Sequence, residues 1–458
     1  MKGYRSICLL LVLSAVLPCW ARDRSYYIAA EDTEWDYAPS GRDLIEGGAL
    51  PSPWSIKTHW PKTHYVEYTD ASFSQRKPQP PWLGILGPVI RAEVGDTITV
   101  HFLNRSKLPH SMHPHGLRYD KDSEGAYYTP SGAGARVRPN GSFTYHWFAD
   151  KDSGPGRNDS SSVVWMYHPH GDEPSETNAG LIGPIVITAR GMANPDGSPK
   201  DVNREFVALF MIFDELHGKD SGMFYAINGY AFGNLPGLAA RQGERVRWYL
   251  LGMGSEDDLH TPHWHGKTVT YEGRHTDVIE LPPASMKSAG MIADNPGTWL
   301  FHCQVSEHME DGMMATYTIV PAHRCSAPIQ IVAADLWADP KTFHVTIKNT
   351  TSKPIRNLSL RFDHLLTMQY RRRPYSHTWS WPQEIPPGQQ RTVDMPGWKP
   401  GYAAQILAWI LFPQSVTFQD GSRWQAADND SCYQMFWRDP GTPALVGLPP
   451  VQMELNEE

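Results

Sequence analysis

At 458 residues, with 41 Lys and Arg against 49 Asp and Glu and a pI near 6.2, the chain is long enough for two or three domains and is mildly acidic. That balance argues against a nucleic-acid partner, which needs clustered cations to meet phosphates. Its 17 Trp, 20 Tyr, 38 Gly and 39 Pro suit β-sandwiches with long loops and speak against a helical fold.

Residues 1–21 carry Lys2 and Arg5, an apolar run from Ile7 to Leu17, then Pro18-Cys19-Trp20-Ala21. This is the pattern of a secretory signal peptide cleaved after Ala21. Pro18 is a poor fit to the alternative, a lipid anchor on Cys19. No later stretch reaches the ~18 apolar residues of a membrane span, so a secreted or periplasmic protein is expected. Cys303, Cys325 and Cys432 remain; if Cys303 ligates a metal, the other two are free to pair as a disulfide in an oxidising compartment.

Tyr26–Ala30 alternates briefly, and Trp35–Pro39 runs extended into a loop. Leu83–Val89 and Asp96–Leu103 carry the apolar alternation of strands. His110-Ser-Met-His113-Pro-His115-Gly116 follows at once. His113 and His115, two apart, share a face of an extended chain. After a loop at 120–162, Val163–His170 repeats the device with His168 and His170. Leu181–Thr188 reads as a closing strand and Gly191–Asp201 as linker.

The pattern then recurs. Phe206–Phe213 is a strand, Gly243–Leu251 matches Gly95–Leu103, and His260-x-x-His263-x-His265-Gly266 matches the cluster at 110–116. Trp299 and His302 answer Trp165 and His168. Such self-similarity predicts two copies of one β-sandwich, at 22–190 and 205–322, joined by 191–204. From 324 to 458 strand-like runs continue at Phe343–Lys348, Leu358–Phe362 and Gln405–Phe418, but His364 and His377 stand alone. A third, smaller all-β sandwich of unknown role is expected there.

Gly297–Met313 is the stretch that carries chemistry, because it places Cys303, His308 and Met313 in one short window. A thiolate, two imidazoles and an axial thioether form a blue copper site, since soft sulfur suits both oxidation states of copper. His260 is the candidate for the fourth ligand. In the first copy the corresponding residues are Pro169, Pro174 and Ala179, so His110 is expected to be structural or vestigial and one blue site per chain is predicted.

In Trp35–Pro39, Asn178–Pro184, Ala226–Gly229 and the four His clusters, residues 25–322 resemble the multicopper oxidases, within the branch of ceruloplasmin, hephaestin and the coagulation-factor A domains. The resemblance implies an all-β fold of two tandem cupredoxin domains, each a Greek-key β-sandwich, ahead of the third sandwich. It implies a type 1 copper on His260, Cys303, His308 and Met313, and a type 2 copper on His113 and His263. One type 3 copper would sit on His170, His265 and His302, its partner on His115, His168 and residue 304. That last residue is His in the family and Gln304 here, a harder and weaker donor.

The expected activity is oxidation of a small reductant or metal ion, such as iron(II), copper(I) or a phenol, coupled to reduction of dioxygen, as in a ferroxidase or laccase. Cys303 and His302 would carry electrons, and Glu307, with Asp220, would face the reductant; Tyr225 falls where the family has a His. The alternative is a copper-binding or interaction protein without turnover, its type 3 site incomplete at Gln304. A copper nitrite reductase fits less well, because the blue site lies in the second domain. Half the cluster ligands come from each domain, so by analogy with two-domain laccases a homotrimer with clusters between subunits is expected.

Overall fold

The computed structural model describes residues 21–216, 222–321, 326–336, 342–366, 372–381, 384–396, 406–426 and 434–437. Residues 1–20, Asp220, Cys325 and Cys432 lie outside these, and with them the expected leader and disulfide. By contacts the chain divides into two compact units: Met1–Pro236, Arg245–Met291 and Phe301–Ala315; and Gly237–Glu244, Ile292–Leu300 and Thr316–Glu458.

Along residues 23–320 one plan occurs twice. The first copy runs through β1 (Asp23–Asp36), the short β2 (Arg42–Asp43) and β3 (Gly48–Ala49), β4 (His59–Tyr68), β5 (Ile90–Glu93) and β6 (Thr97–Asn104). It continues through β7 (His113–Pro114), β8 (Arg118–Tyr119), β9 (Ser142–Phe148), β10 (Ser162–His168), α1 (Glu173–Asn178) and β11 (Gly183–Thr188). A sheet ordered β4-β1-β6-β9-β8 packs on one ordered β5-β11-β10-β7. Two pairings are parallel, β1 with β6 and β5 with β11.

The second copy runs through β12 (Arg204–Asp214), β13 (Met223–Ile227), β14 (Ala239–Arg241), β15 (Arg245–Gly252), β16 (Pro262–Trp264) and β17 (Val269–Tyr271). Then come β18 (Arg274–Thr276), β19 (Ser285–Ile292), β20 (Gly297–Cys303), α2 (Ser306–Glu310) and β21 (Met314–Val320). Its larger sheet is ordered β13-β12-β15-β19-β17-β18. Here β12 and β15 are parallel, as β1 and β6 are, and β14 and β21 repeat β5 and β11. The register repeats too: His113 stands opposite His168, and His263 opposite His302.

The alternation of apolar residues explains how the copies join. Every residue of β11 is buried, which requires cover on both faces. Ile185 and Ile187 enter the first sandwich's core, while Val186 points the other way into a core shared with Val207, Leu209 and Met211 of β12 and Tyr249 and Leu251 of β15. β10 does the same, with Tyr167 inward and Val164 and Met166 outward.

One expectation is corrected. Leu83–Val89 is not a strand: Pro81–Leu83 is a 3-10 turn and the strand begins at Ile90. Leu83, Ile85 and Leu86 are buried all the same, with Ile85 N–H donating to Asn228 O and Gly87 N–H to Ile182 O. Pro81, Gly84 at φ +59° and Pro88 break the ladder that the alternation suggested.

In the second unit Ile329–Asp335, Thr342–Asn349 and Gln390–Pro396 form one sheet. Arg372–Trp381, Ile355–Leu366, Ile406–Phe418, Arg423–Gln425 and Gln434–Trp437 form another. Phe343, Val345 and Ile347 alternate inward onto Leu358, Leu360 and Leu411, the half-buried strand that the sequence period predicted. Among the described residues no helix is long and apolar enough to cross a membrane.

Candidate metal centre

Cys303 ends β20 and His308 lies on α2, five residues on, so one turn of chain swings the imidazole back over the thiol. His260 Nδ1 lies 3.1 Å from His308 Nδ1 and 3.9 Å from Cys303 Sγ, and His308 Nδ1 lies 3.6 Å from the same sulfur. All three residues are buried and could hold one metal ion. Met313 is buried beside them: its N–H donates to His308 O at 2.8 Å, and its carbonyl accepts from Cys303 N–H at 3.1 Å. Gly312 makes that return possible. Its φ is +101°, and a Cβ there would meet the Phe232 ring at 2.8 Å.

Charge is arranged to match. The two ring nitrogens of His260 have separate partners: Nδ1 faces the sulfur, and Nε2 lies 3.1 Å from Asp258 Oδ1. Asp258 is itself fixed by the N–H groups of Ile212 and Ser255. Burial lowers the pKa of His260, but Asp258 and Cys303 outweigh it and raise the value overall. Burial likewise raises the Cys303 thiol, yet hydrogen bonds from His260, His308 and the Thr261 N–H bring it down to about 6. The sulfur is therefore largely thiolate at neutral pH, the state that binds metal.

Each copy gathers a second group of imidazoles at its edge. In the first, His115 Nε2 is 2.8 Å from His168 Nε2, and the His113 ring centroid lies 5.2 to 5.9 Å from those of His115, His168 and His170. In the second, His265 Nε2 is 3.0 Å from His302 Nε2, and His263, His265 and His302 form another potential metal-binding group. Burial, then neighbouring imidazoles, lowers His115 to about 4 and His168 to about 3. His302 and His265 are also lowered, burial again leading. Neutral rings offering lone pairs to one point suit a metal.

Within one chain the histidines gather copy by copy, His113 with His115, His168 and His170, and His263 with His265 and His302. Gln304, expected as a weak ligand, has its Oε1 2.7 Å from His263 Nδ1. His110 faces no thiol and instead pairs with the buried Glu176, Nδ1 to Oε1 at 2.7 Å. Glu307 is exposed on α2, and the Tyr225 ring lies 5.3 Å from that of His308. Asp258, Glu176 and Glu173, the last 3.5 Å from His170 Nε2, were missed. Asp258 had a signal: it sits two before His260, on the same face of an extended chain.

Two family models, both described as multicopper oxidase, match residues 66–191 and 210–323. Ferroxidase HEPHL1 of Mus musculus is 37% identical over 68% of this chain and 30% of its own length. Hephaestin of Homo sapiens is 38% identical over 65% of the chain and 29% of its own length. Ceruloplasmin of Rattus norvegicus is 35% identical over 68% and 33%. The chain thus spans about a third of the length of these relatives. It belongs to the multicopper oxidases, in the branch of ceruloplasmin and hephaestin.

Proposed function

We propose that the chain is a secreted or periplasmic multicopper oxidase that takes single electrons from a small reductant and delivers them to dioxygen. The observation that carries this is the convergence of Cys303 Sγ with His260 and His308 Nδ1. This donor set fits copper, with Met313 as axial ligand, and it would form the type 1 site. His113 and His263 would hold a type 2 copper; His170, His265 and His302, and His115 with His168, would hold a type 3 pair. Copper there supplies one-electron transfer from the reductant and four-electron reduction of oxygen to water.

The protein's own part is positional. Cys303 and His302 are consecutive, and His302 Nδ1–H donates to the Cys303 carbonyl at 2.7 Å. Backbone and hydrogen bond together couple the sulfur to the second donor group. Glu307, exposed one residue before His308, suits attraction of a cationic reductant such as iron(II).

Several side chains of the edge groups, His170, His265 and Gln304, are exposed in the single chain. Donor groups left this open would be completed by a second copy of the chain: we read the oxidase as a homotrimer, each cluster lying between one copy's first domain and the next copy's second. Domain limits of 22–190, 205–322 and 324–458, with 191–204 as linker, go with this reading.

The test is to load purified protein with copper, count metal per chain, record the visible spectrum and size, and follow oxygen uptake with iron(II) and with a phenol. About four coppers per chain, intense blue colour, a trimer and turnover are expected. Gln304 in place of a ligand His favours a second reading, a copper-binding protein without turnover. Blue colour with one or two coppers and no oxygen uptake would establish that reading.

A further inference from the structure

Three histidines of the two edge groups share a feature that separates them from the buried site. His113 Nδ1 bonds Glu124 O at 2.6 Å, His168 Nδ1 bonds Pro169 O at 2.7 Å, and His302 Nδ1 bonds Cys303 O at 2.7 Å. A carbonyl only accepts, so each of these Nδ1 atoms carries the proton and each Nε2 is left as the lone-pair donor. The buried site is built the other way, with Asp258 on His260 Nε2 and Nδ1 toward the sulfur.

His263 is the fourth of the set, and its acceptor comes from a side chain. Gln304 Oε1 lies 2.7 Å from His263 Nδ1, while the nearest carboxylate to Nε2, Asp277, is 3.6 Å away, beyond hydrogen-bond reach. In the first copy the residue matching His263 is His113, whose Nδ1 is served by the backbone; the residue matching Gln304 is His170, whose ring lies 5.2 Å from that of His113. Of these four histidines, His263 is the one whose Nδ1–H acceptor comes from a side chain, and there the second copy has an amide where the first has an imidazole.

We propose that Gln304 is a positioning residue: its amide oxygen holds His263 in the Nδ1–H tautomer and so presents Nε2 to a metal ion. This rests on the copper reading above for the metal's identity, but the tautomer belongs to the protein alone. The glutamine at 304 is then the partner of a ligand and not a degraded ligand, as outer-sphere acceptors are for metal-bound histidines generally.

The test uses the full chain free of metal, labelled with nitrogen-15 in histidine, with the His263 signal assigned by its loss in His263→Asn. Nitrogen–hydrogen correlation spectra should show His263 as the Nδ1–H tautomer in the parent and in Gln304→Glu, whose carboxylate still accepts. In Gln304→Leu, of similar size without an acceptor, it should revert toward Nε2–H. Copper titration should then show edge-site affinity falling about 10–100-fold in the Leu variant and held within a few-fold in Glu, with blue absorbance unchanged in both. An Nε2–H tautomer in the metal-free parent, or full edge-site affinity in the Leu variant, overturns the proposal. Absence of copper binding by the parent would instead sink the copper reading, leaving the tautomer result to stand alone.

Discussion

His110 and His260 occupy the same place in two copies of one sandwich, yet they are held by opposite nitrogens. His260 gives Nε2 to Asp258 and turns Nδ1 to the thiol; His110 gives Nδ1 to Glu176, and its buried Nε2 has no hydrogen-bond partner among the described residues. The residue matching Asp258 in the first copy is Leu108, exposed, and no carboxylate is there to claim Nε2. The residue matching Glu176 in the second copy is Glu310, exposed on α2. Strand register is common to both copies, so the backbone does not choose between a convergent set of sulfur and imidazole donors and a histidine–carboxylate hydrogen bond. A few side chains do: a carboxylate two residues before the histidine, and a sulfur in place of Pro169.

The largest effect should come from removing what the first copy lacks. Cys303→Ser leaves oxygen where the soft donor was and should abolish the blue absorption entirely, because that intensity requires a copper–thiolate bond. Copper at the edge groups should survive, as His302 keeps its own hydrogen bond to the backbone of residue 303. A blue band persisting in the Ser variant would show that the metal is held elsewhere.

Next in size is the carboxylate that distinguishes the two histidines. Asp258→Ala releases His260 Nε2, and it also deprives the N–H groups of Ile212 and Ser255 of their acceptor. Copper affinity of the blue site should fall about 10–100-fold. Asp258→Asn should lie between parent and Ala, since the amide oxygen still accepts from Nε2–H. Equal affinity in all three, read by titration of the blue band, would show that Asp258 does not set the ring's orientation.

Glu176→Gln probes the first copy alone. Burial disfavours ionisation of Glu176, but His110 and the N–H groups of Asp172 and Gly171 outweigh it and hold its pKa below the ordinary 4.5. A carboxylate depressed in the folded state adds stability above its unfolded pKa, and that stability drains as pH falls below about 4.5. The Gln variant should lose about 2 kcal/mol at neutral pH and unfold with a shallower acid dependence, its blue spectrum intact. An unchanged acid slope, followed by denaturant unfolding from pH 7 down to pH 3, would remove Glu176 from the account of acid stability.

The sequence made much of this legible, for a physical reason. Period-2 spacing and repeated His-x-His segments are local, so the duplication, the strands around 97–104 and 204–214, and the gathering of Cys303, His308 and His260 could be read along the chain. What stayed hidden depends on contacts across it. The pairing of His110 with Glu176 joins residues 66 apart, and Leu83–Val89 keeps an apolar alternation while packing as a broken segment. The grouping of His113 with His170, and of His263 with Gln304, depends on which strands lie side by side. Sequence could name those residues but not say which touches which.

The smallest expected effect concerns the approach to the blue site. Tyr225 lies on β13, opposite Ile212, and its ring centroid is 5.3 Å from that of His308 at an interplanar angle of 43°. The residue is half-buried, with its ring beside that of His308, and an aromatic ring there would suit packing by a phenol better than binding of a metal ion. Tyr225→His replaces that ring with an imidazole donor, and Tyr225→Phe keeps the ring while deleting the oxygen. The ratio of kcat/KM for iron(II) over that for a phenol should rise in the His variant by no more than about tenfold, some 1.4 kcal/mol of discrimination. In the Phe variant it should fall slightly or hold. An unchanged ratio in both variants would mean that Tyr225 only packs against His308.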